Sequence, residues 1–226
     1  MQLTYYGHAC FSVNYNGKNI LFDPFITPNE LAKSIDVDSI KADYIFLSHG
    51  HSDHVTDAYV IAKNNDATIV GAFEVTQWAT DEDIPKTHGM NTGGKWKFDF
   101  GTVKCVNAVH SSSMPDGSYG GNPMGFLFSG GEKNFYYSGD TALTMDMQLI
   151  PKWVKLDFAV LCIGDNFTMG YEDAIEAAKM INCKEIVGVH YDTFGFIKID
   201  HQKTQDAFSE ASLNLHLPAI GETINI

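Results

Sequence analysis

The 226-residue chain predicts a mixed α/β fold of two related β-rich halves, with two sheets facing each other and helices outside. Short runs rich in Val, Ile, Phe and Tyr recur along its length, bounded by Gly, Asn, Asp and Lys. Helix-period segments fall between some of them, and no low-complexity linker divides the chain, which reads as a single domain over 1–226. Three unit types also recur in the same order at nearly constant offset. NILFDPF around Asp23 resembles NFYYSGDT around Asp140, 117 residues later. KADYIFLSH around Asp43 resembles KLDFAVLCIG around Asp157, 114 later, and the stretch from Asp57 resembles that from Asp173, 116 later. Chance likeness between strand–helix–strand units is the alternative reading of this repeat.

In chain order, LTYYG (3–7), CFSVNY (10–15) and NILFD (19–23) alternate as hairpin strands do, and DYIFLSH (43–49) follows as a fourth strand. DAYVIAKNN (57–65) has helical spacing, ATIVGA (67–72) is a strand, and FEVTQWATD (73–81) is helical again. TVKCVNAVH (102–110), MGFLFS (124–129) and NFYYSGD (134–140) are strand-like. DFAVLCIG (157–164) is apolar throughout and reads as a strand buried on both faces. A helix over 171–181, the strand EIVGVH (185–190) and a helix from Lys203 to Leu213 complete the pattern.

Charge narrows the function. All 15 basic residues are lysine against 28 acidic residues, a net charge of −13. Without arginine there is no bidentate fork for phosphate or guanine, and without a basic footprint there is no groove for long nucleic acid. Docking on an anionic membrane is disfavoured for the same reason, and no apolar run is long enough for a membrane span. A small-molecule substrate is the expected partner, and homo-oligomerisation is left open. The N-terminus has no leader-like segment, and Cys10, Cys105, Cys162 and Cys183 form no C-x-x-C pair. Buried thiols in the cytoplasm are expected, not a disulfide framework.

The strongest chemical signal is Ser48-His49-Gly50-His51-Ser52-Asp53-His54, directly after DYIFL. Three histidines and an aspartate within six residues place four metal-ligand side chains on one tight loop. Gly50 and Ser52 leave the backbone free to turn, so His49 and His51 can converge on one ion while Asp53 and His54 aim at a second. Neutral imidazole and carboxylate suit Zn, Mn or Fe(II). An exposed polar loop is the rival reading, and composition alone disfavours it. Partners are available at comparable places: His110, Asp140 and His190 each follow an apolar strand where it would leave a sheet.

This order, with GHACF at 7–11, DPF at 23–25, GGNPMGF at 120–126, SGDT at 138–141 and GDNFTMG at 164–170, resembles the metallo-β-lactamase superfamily of four-layer αββα metal-dependent hydrolases. Within it, the motifs resemble the branch of L-ascorbate-6-phosphate lactonase-like proteins, and more distantly the N-acyl phosphatidylethanolamine phospholipase D branch. The resemblance implies that His49, His51 and His110 hold one divalent ion and Asp53, His54 and His190 a second, with Asp140 bridging them. It implies two Zn or Mn ions and a metal-bridged hydroxide attacking a small ester, lactone or phosphodiester. The alternative on the same scaffold is a mononuclear iron-dependent dioxygenase. Di-iron relatives usually carry a carboxylate where this chain has His51, which favours hydrolysis.

Beyond the ligands, His8 in GHACF is a candidate to orient substrate or donate a proton, with a packed histidine as the equal alternative. Asp53 is the other catalytic candidate. Asp23, the repeat counterpart of Asp140, is a candidate to hydrogen-bond a ligand histidine, with a simple turn carboxylate as the alternative. Asn166 is a candidate hydrogen-bond donor at the site's edge, with a loop role shared with Asp165 as the equal alternative. The polar loop from Ser111 to Pro123 reads as a flap, and no G-x-S-x-G elbow makes its serines nucleophiles. His88, His201 and His216 read as surface residues. The missing arginine lowers the standing of a sugar-phosphate substrate.

Overall fold

The alternating N-terminus pairs at once: β1 (Gln2–Gly7), β2 (Cys10–Tyr15) and β3 (Lys18–Phe22) form an antiparallel meander. The computed structural model describes residues 1–226. After β3 the chain changes habit. β4 (Tyr44–Phe46), β5 (Thr68–Ala72) and β6 (Thr87–Met90) add in parallel. Between them lie the short α1 (Ser52–Val55), then α2 (Ala58–Asn65) and α3 (Phe73–Asp81).

The second half repeats this plan. β7 (Lys95–Lys97), β8 (Thr102–Asn107), β9 (Met124–Ser129) and β10 (Phe135–Tyr137) are antiparallel neighbours. The one-turn α4 (Ile150–Trp153) follows, and then β11 (Phe158–Cys162), β12 (Glu185–Val189) and β13 (Asn214–His216) add in parallel, with α5 (Tyr171–Met180) and α6 (His201–Glu210) as crossovers. β14 (Thr223–Asn225) returns to pair with β1. Two seven-stranded sheets result, β14-β1-β2-β3-β4-β5-β6 and β13-β12-β11-β10-β9-β8-β7. The similarity at offsets of 117, 114 and 116 residues is therefore structural: β3 matches β10, β4 matches β11, and α2–β5 matches α5–β12.

The sheets meet through aromatic side chains, giving the αββα sandwich. Phe22 and Phe46 of the first sheet lie 5.5 and 5.0 Å from Phe128 of the second, ring centre to ring centre, and Phe11 lies 5.1 Å from Tyr137. All are fully buried, each contributing roughly 1.5–3 kcal/mol by leaving water. α5 turns Ala174, Ala177 and Ala178 inward, small side chains that allow close approach to its sheet, with Ile175 buried beside them. No helix is long and apolar enough to cross a membrane. All four cysteines are buried and free.

Four short strands escaped the sequence pattern: β6, β7, β13 and β14, each three or four residues long and carrying His, Gly, Lys or Asn. Four expected strands, β4, β8, β10 and β11, end two to three residues before the bounds read from sequence, leaving their polar or glycine-bearing ends in loops. The last helix starts at His201 rather than Lys203, where the Asp200 carboxylate accepts from the Lys203 amide at 3.1 Å and caps it. His201 is exposed as expected, whereas His88 and His216 are half-buried on β6 and β13. His88 packs against Trp96 and Phe98, and His216 Nε2 lies 3.0 Å from Glu185.

This topology places chemistry on one edge. β3, β4, β8, β10, β11 and β12 all deliver their C-terminal ends to the same side, where open sheets place ligands. Gly139, in the loop after β10, has φ +59, and a Cβ there would meet Ser48 Cβ at 2.7 Å and the Met124 carbonyl at 2.9 Å. Gly139→Ala is expected to cost about 2–4 kcal/mol, from left-handed strain plus overpacking, read as a lower urea midpoint at unchanged slope.

Candidate metal centre

The loop after β4 is held by backbone partners before any ligand is considered. Asp23, at the end of β3, is fully buried and accepts four hydrogen bonds. Its Oδ1 takes the Ser48 amide at 2.7 Å; its Oδ2 takes Ser48 Oγ at 2.5 Å, Tyr137 Oη at 2.5 Å and His54 Nδ1 at 2.9 Å. Ser48 Oγ, having donated to Asp23, accepts from His49 Nδ1 at 2.9 Å. Both Nδ1–H groups are thereby engaged, and both Nε2 atoms are turned toward the centre. The Gly50 amide donates to Ser112 Oγ at 3.1 Å, and a Cβ on Gly50 would meet Met114 Sδ at 2.5 Å.

The presented atoms converge. His49, His51 and His110 form one group whose ligand atoms all lie within 4.8 Å of one another, and His49 Nε2 is 2.9 Å from His51 Nδ1. A second group is His8, Asp53, His54 and His190; a third, sharing members, is His49, His54 and Asp140. Asp140 Oδ2 sits centrally, 2.9 Å from His190 Nε2, 3.3 Å from His54 Nε2 and 3.6 Å from His110 Nε2. All seven ligand candidates read from the sequence thus meet in one place.

The donor set fits a cation. His54 Nε2 and Asp140 Oδ1 are buried without a hydrogen-bond partner, and two histidine nitrogens face each other across 2.9 Å. Orphaned, inward-facing donors of this kind are costly unless an ion binds them. A family model for the beta-lactamase superfamily domain matches residues 18–191, a span carrying every one of these seven residues. The chain belongs to the metallo-β-lactamase superfamily. It is 53% identical over the full length of both chains to a UPF0173 metal-dependent hydrolase from Flavobacterium johnsoniae. It is 45% identical to another from Methylacidiphilum infernorum, over 99% of each chain. Among solved structures, Igni18, a metallo hydrolase from Ignicoccus hospitalis, superposes with TM-score 0.88 at 31% identity, covering 99% of this chain and 97% of that one. The site is that of a metal-dependent hydrolase of this superfamily.

Among the other residues singled out in this superfamily member, His8 matches the packed alternative and Asn166 the loop alternative. His8 is fully buried and does not line the cavity: its Nε2 is 3.1 Å from Asp53 Oδ2 and its Nδ1 3.0 Å from Thr193 Oγ1. Its ring lies 4.2 Å from that of His190, whose amide donates to the His8 carbonyl at 2.8 Å. His8, Asp23 and His190 all have positive φ, 55°, 40° and 60°. Asn166 is exposed and outside the cavity lining, which its neighbour Phe167 joins. Within the flap, Ser111 alone lines the cavity; Ser112 is tied to Gly50 and Gly120, and Ser113 bridges to Tyr119. Tyr137 and Thr193 were missed altogether. Nothing in a strand-end Tyr or a loop Thr marks a hydrogen bond to a residue more than a hundred positions away.

Electrostatics divide the histidines. Burial, aided by neighbouring His54, lowers His49 well below the usual range, and burial also lowers His51 and His110. These three are neutral, as ligands must be. Burial alone would lower His54 too, but Asp140, Asp23 and Asp53 overrule it and hold it well above the usual range. Asp140 is kept well below the usual carboxylate range by His190 and His54, against the opposing effect of its own burial. The metal-free centre therefore stores a proton on His54 at neutral pH. Loading metal is expected to release about one proton per chain at pH 7, measured by calorimetry in buffers of different ionisation enthalpy. Uptake without proton release would count against this reading of His54.

Proposed function

We propose that the whole chain acts as one hydrolase domain holding two divalent cations, Zn or Mn, in the cytoplasm, and hydrolyses a small ester or lactone. His49, His51 and His110 would hold one ion, Asp53, His54 and His190 the other, with Asp140 shared between them. The observation that carries the reading is Asp140 itself: one carboxylate oxygen lies 2.9–3.6 Å from histidines of both groups, while the other oxygen is buried and unpartnered. Paired cations would lower the pKa of a shared water towards neutrality and polarise a scissile oxygen.

The chain's own residues do the rest. Asp23 and Ser48 orient His54 and His49, and His8 holds Asp53 through a 3.1 Å hydrogen bond. Burial, with His190 beside it, lowers His8 to about 4, so it is neutral at pH 7 and serves as a positioning residue. Ser111 and Thr193 offer neutral hydroxyls at the cavity wall. No lysine lines the cavity, which weighs against a phosphorylated sugar lactone and for an uncharged one. His51, an imidazole 2.9 Å from its partner His49, weighs against the di-iron form of this scaffold.

The test is reconstitution. Chelated protein should be inactive on esters and lactones, and Zn or Mn should restore turnover with saturation near two equivalents per chain. Turnover unaffected by chelation, or restored only by Fe(II) with consumption of oxygen, would contradict the proposal.

A further inference from the structure

The cavity over the candidate centre has about 730 Å³, the size of a pocket for a drug-sized molecule. Its lining joins five of the seven ligand candidates to Phe167, from the loop after β11, and to Phe194 and Phe196, from the loop after β12. Phe167 is 50% exposed and Phe196 77% exposed, large apolar surface left in water beside a polar site. They contact each other edge to face with ring centres 6.3 Å apart. Phe194 is half-buried and anchored behind them, 5.3 Å from His8 and 6.2 Å from Phe25.

No cationic side chain lines this cavity, and the chain's net charge is −13. An anionic group on the part of the substrate away from the reacting bond would find no partner there and would be repelled by the protein as a whole. Apolar surface would find three phenyl rings.

We propose that the substrate carries an uncharged, apolar group, aromatic or branched aliphatic, beside its scissile bond, and that Phe167 and Phe196 are the residues that select it. This rests on the metal-hydrolase reading above and adds the substrate class. The two phenylalanines act by excluding water around the apolar group, and the residues at the ligand wall receive the polar bond to be broken. Substrates with a carboxylate or phosphate in that position are discriminated against.

The test separates the two claims by using hydroxamates, which anchor on cations and differ only in their tails. Calorimetry on the Zn-loaded enzyme would compare acetohydroxamate, 4-phenylbutyrohydroxamate and the hydroxamate of succinic acid, whose tail is anionic. The phenyl tail should bind about tenfold or more tighter than acetohydroxamate, and the anionic tail no tighter than it. In Phe167→Ala/Phe196→Ala the phenyl advantage should shrink to about two- or threefold, with metal content unchanged. Both side chains are substantially exposed, so the core is left intact.

An anionic tail that binds as tightly as the phenyl tail would overturn the proposal. So would a phenyl advantage that survives the double substitution, or one accompanied by a fall in oligomer mass on sedimentation, which would make the pair a contact between copies. Failure of acetohydroxamate itself to bind would instead strike the metal centre, and this proposal with it.

Discussion

Asp140→Ala should abolish both metal retention and turnover. Its carboxylate reaches histidines of both groups at 2.9–3.6 Å, so it ties the two groups together. Loss of the shared oxygen is expected to lower kcat/KM by roughly a thousandfold or more, ~4 kcal/mol of transition-state stabilisation. Substitution also leaves His54 and His190 without the anion they face. A ligand that binds only the folded chain raises its melting temperature, so the wild type should gain several degrees on loading. In Asp140→Ala that gain should vanish. A variant that still shows the full thermal shift would mean that Asp140 is peripheral.

The second large effect is at Asp23, which touches no candidate ion and lies at the centre of the hydrogen bonding. Four donors from three residues converge on it: Ser48, twice, His54 and Tyr137. Asp23→Asn is the informative change, because asparagine tolerates the φ of +40° that alanine would resist. The new amide turns two donors toward groups that need acceptors. The expected cost is about 3–5 kcal/mol of stability, together with a 10–100-fold loss of metal affinity as His54 and His49 lose their orientation. Tyr137→Phe removes one of the stranded donors, so the double variant should be less destabilised than the two single costs added together. Full additivity would show that Tyr137 and Asp23 are uncoupled, against their 2.5 Å contact.

How much of this was legible beforehand follows from the range of each interaction. The strands of both sheet centres were readable because burial imposes composition: β11 is apolar at every position, and β5 and β9 nearly so. The repeat was readable because the two halves reuse one topology. β7 and β14 were not, since edge strands of three polar or exposed residues are held by a neighbour's backbone and carry no pattern of their own. The seven ligand candidates were readable because metal chemistry restricts residue type and strand ends restrict place. Asp23 was found through the repeat, as the counterpart of Asp140. Tyr137 was invisible, because its partner lies 114 residues away and its strand context suits any core tyrosine. Asn166 takes the loop role its sequence left open, in a turn whose φ angles at Asp165 and Asn166 are both positive, while the next residue, Phe167, lines the cavity.

Seven side chains from both halves are proposed to build one two-ion site. Elemental mass spectrometry of purified protein, wild type beside Asp140→Ala and His51→Ala, tests it most directly. Two equivalents of Zn or Mn per chain, reduced in both variants, is the predicted result. One equivalent of iron, or no metal after incubation with excess Zn and Mn, would contradict it.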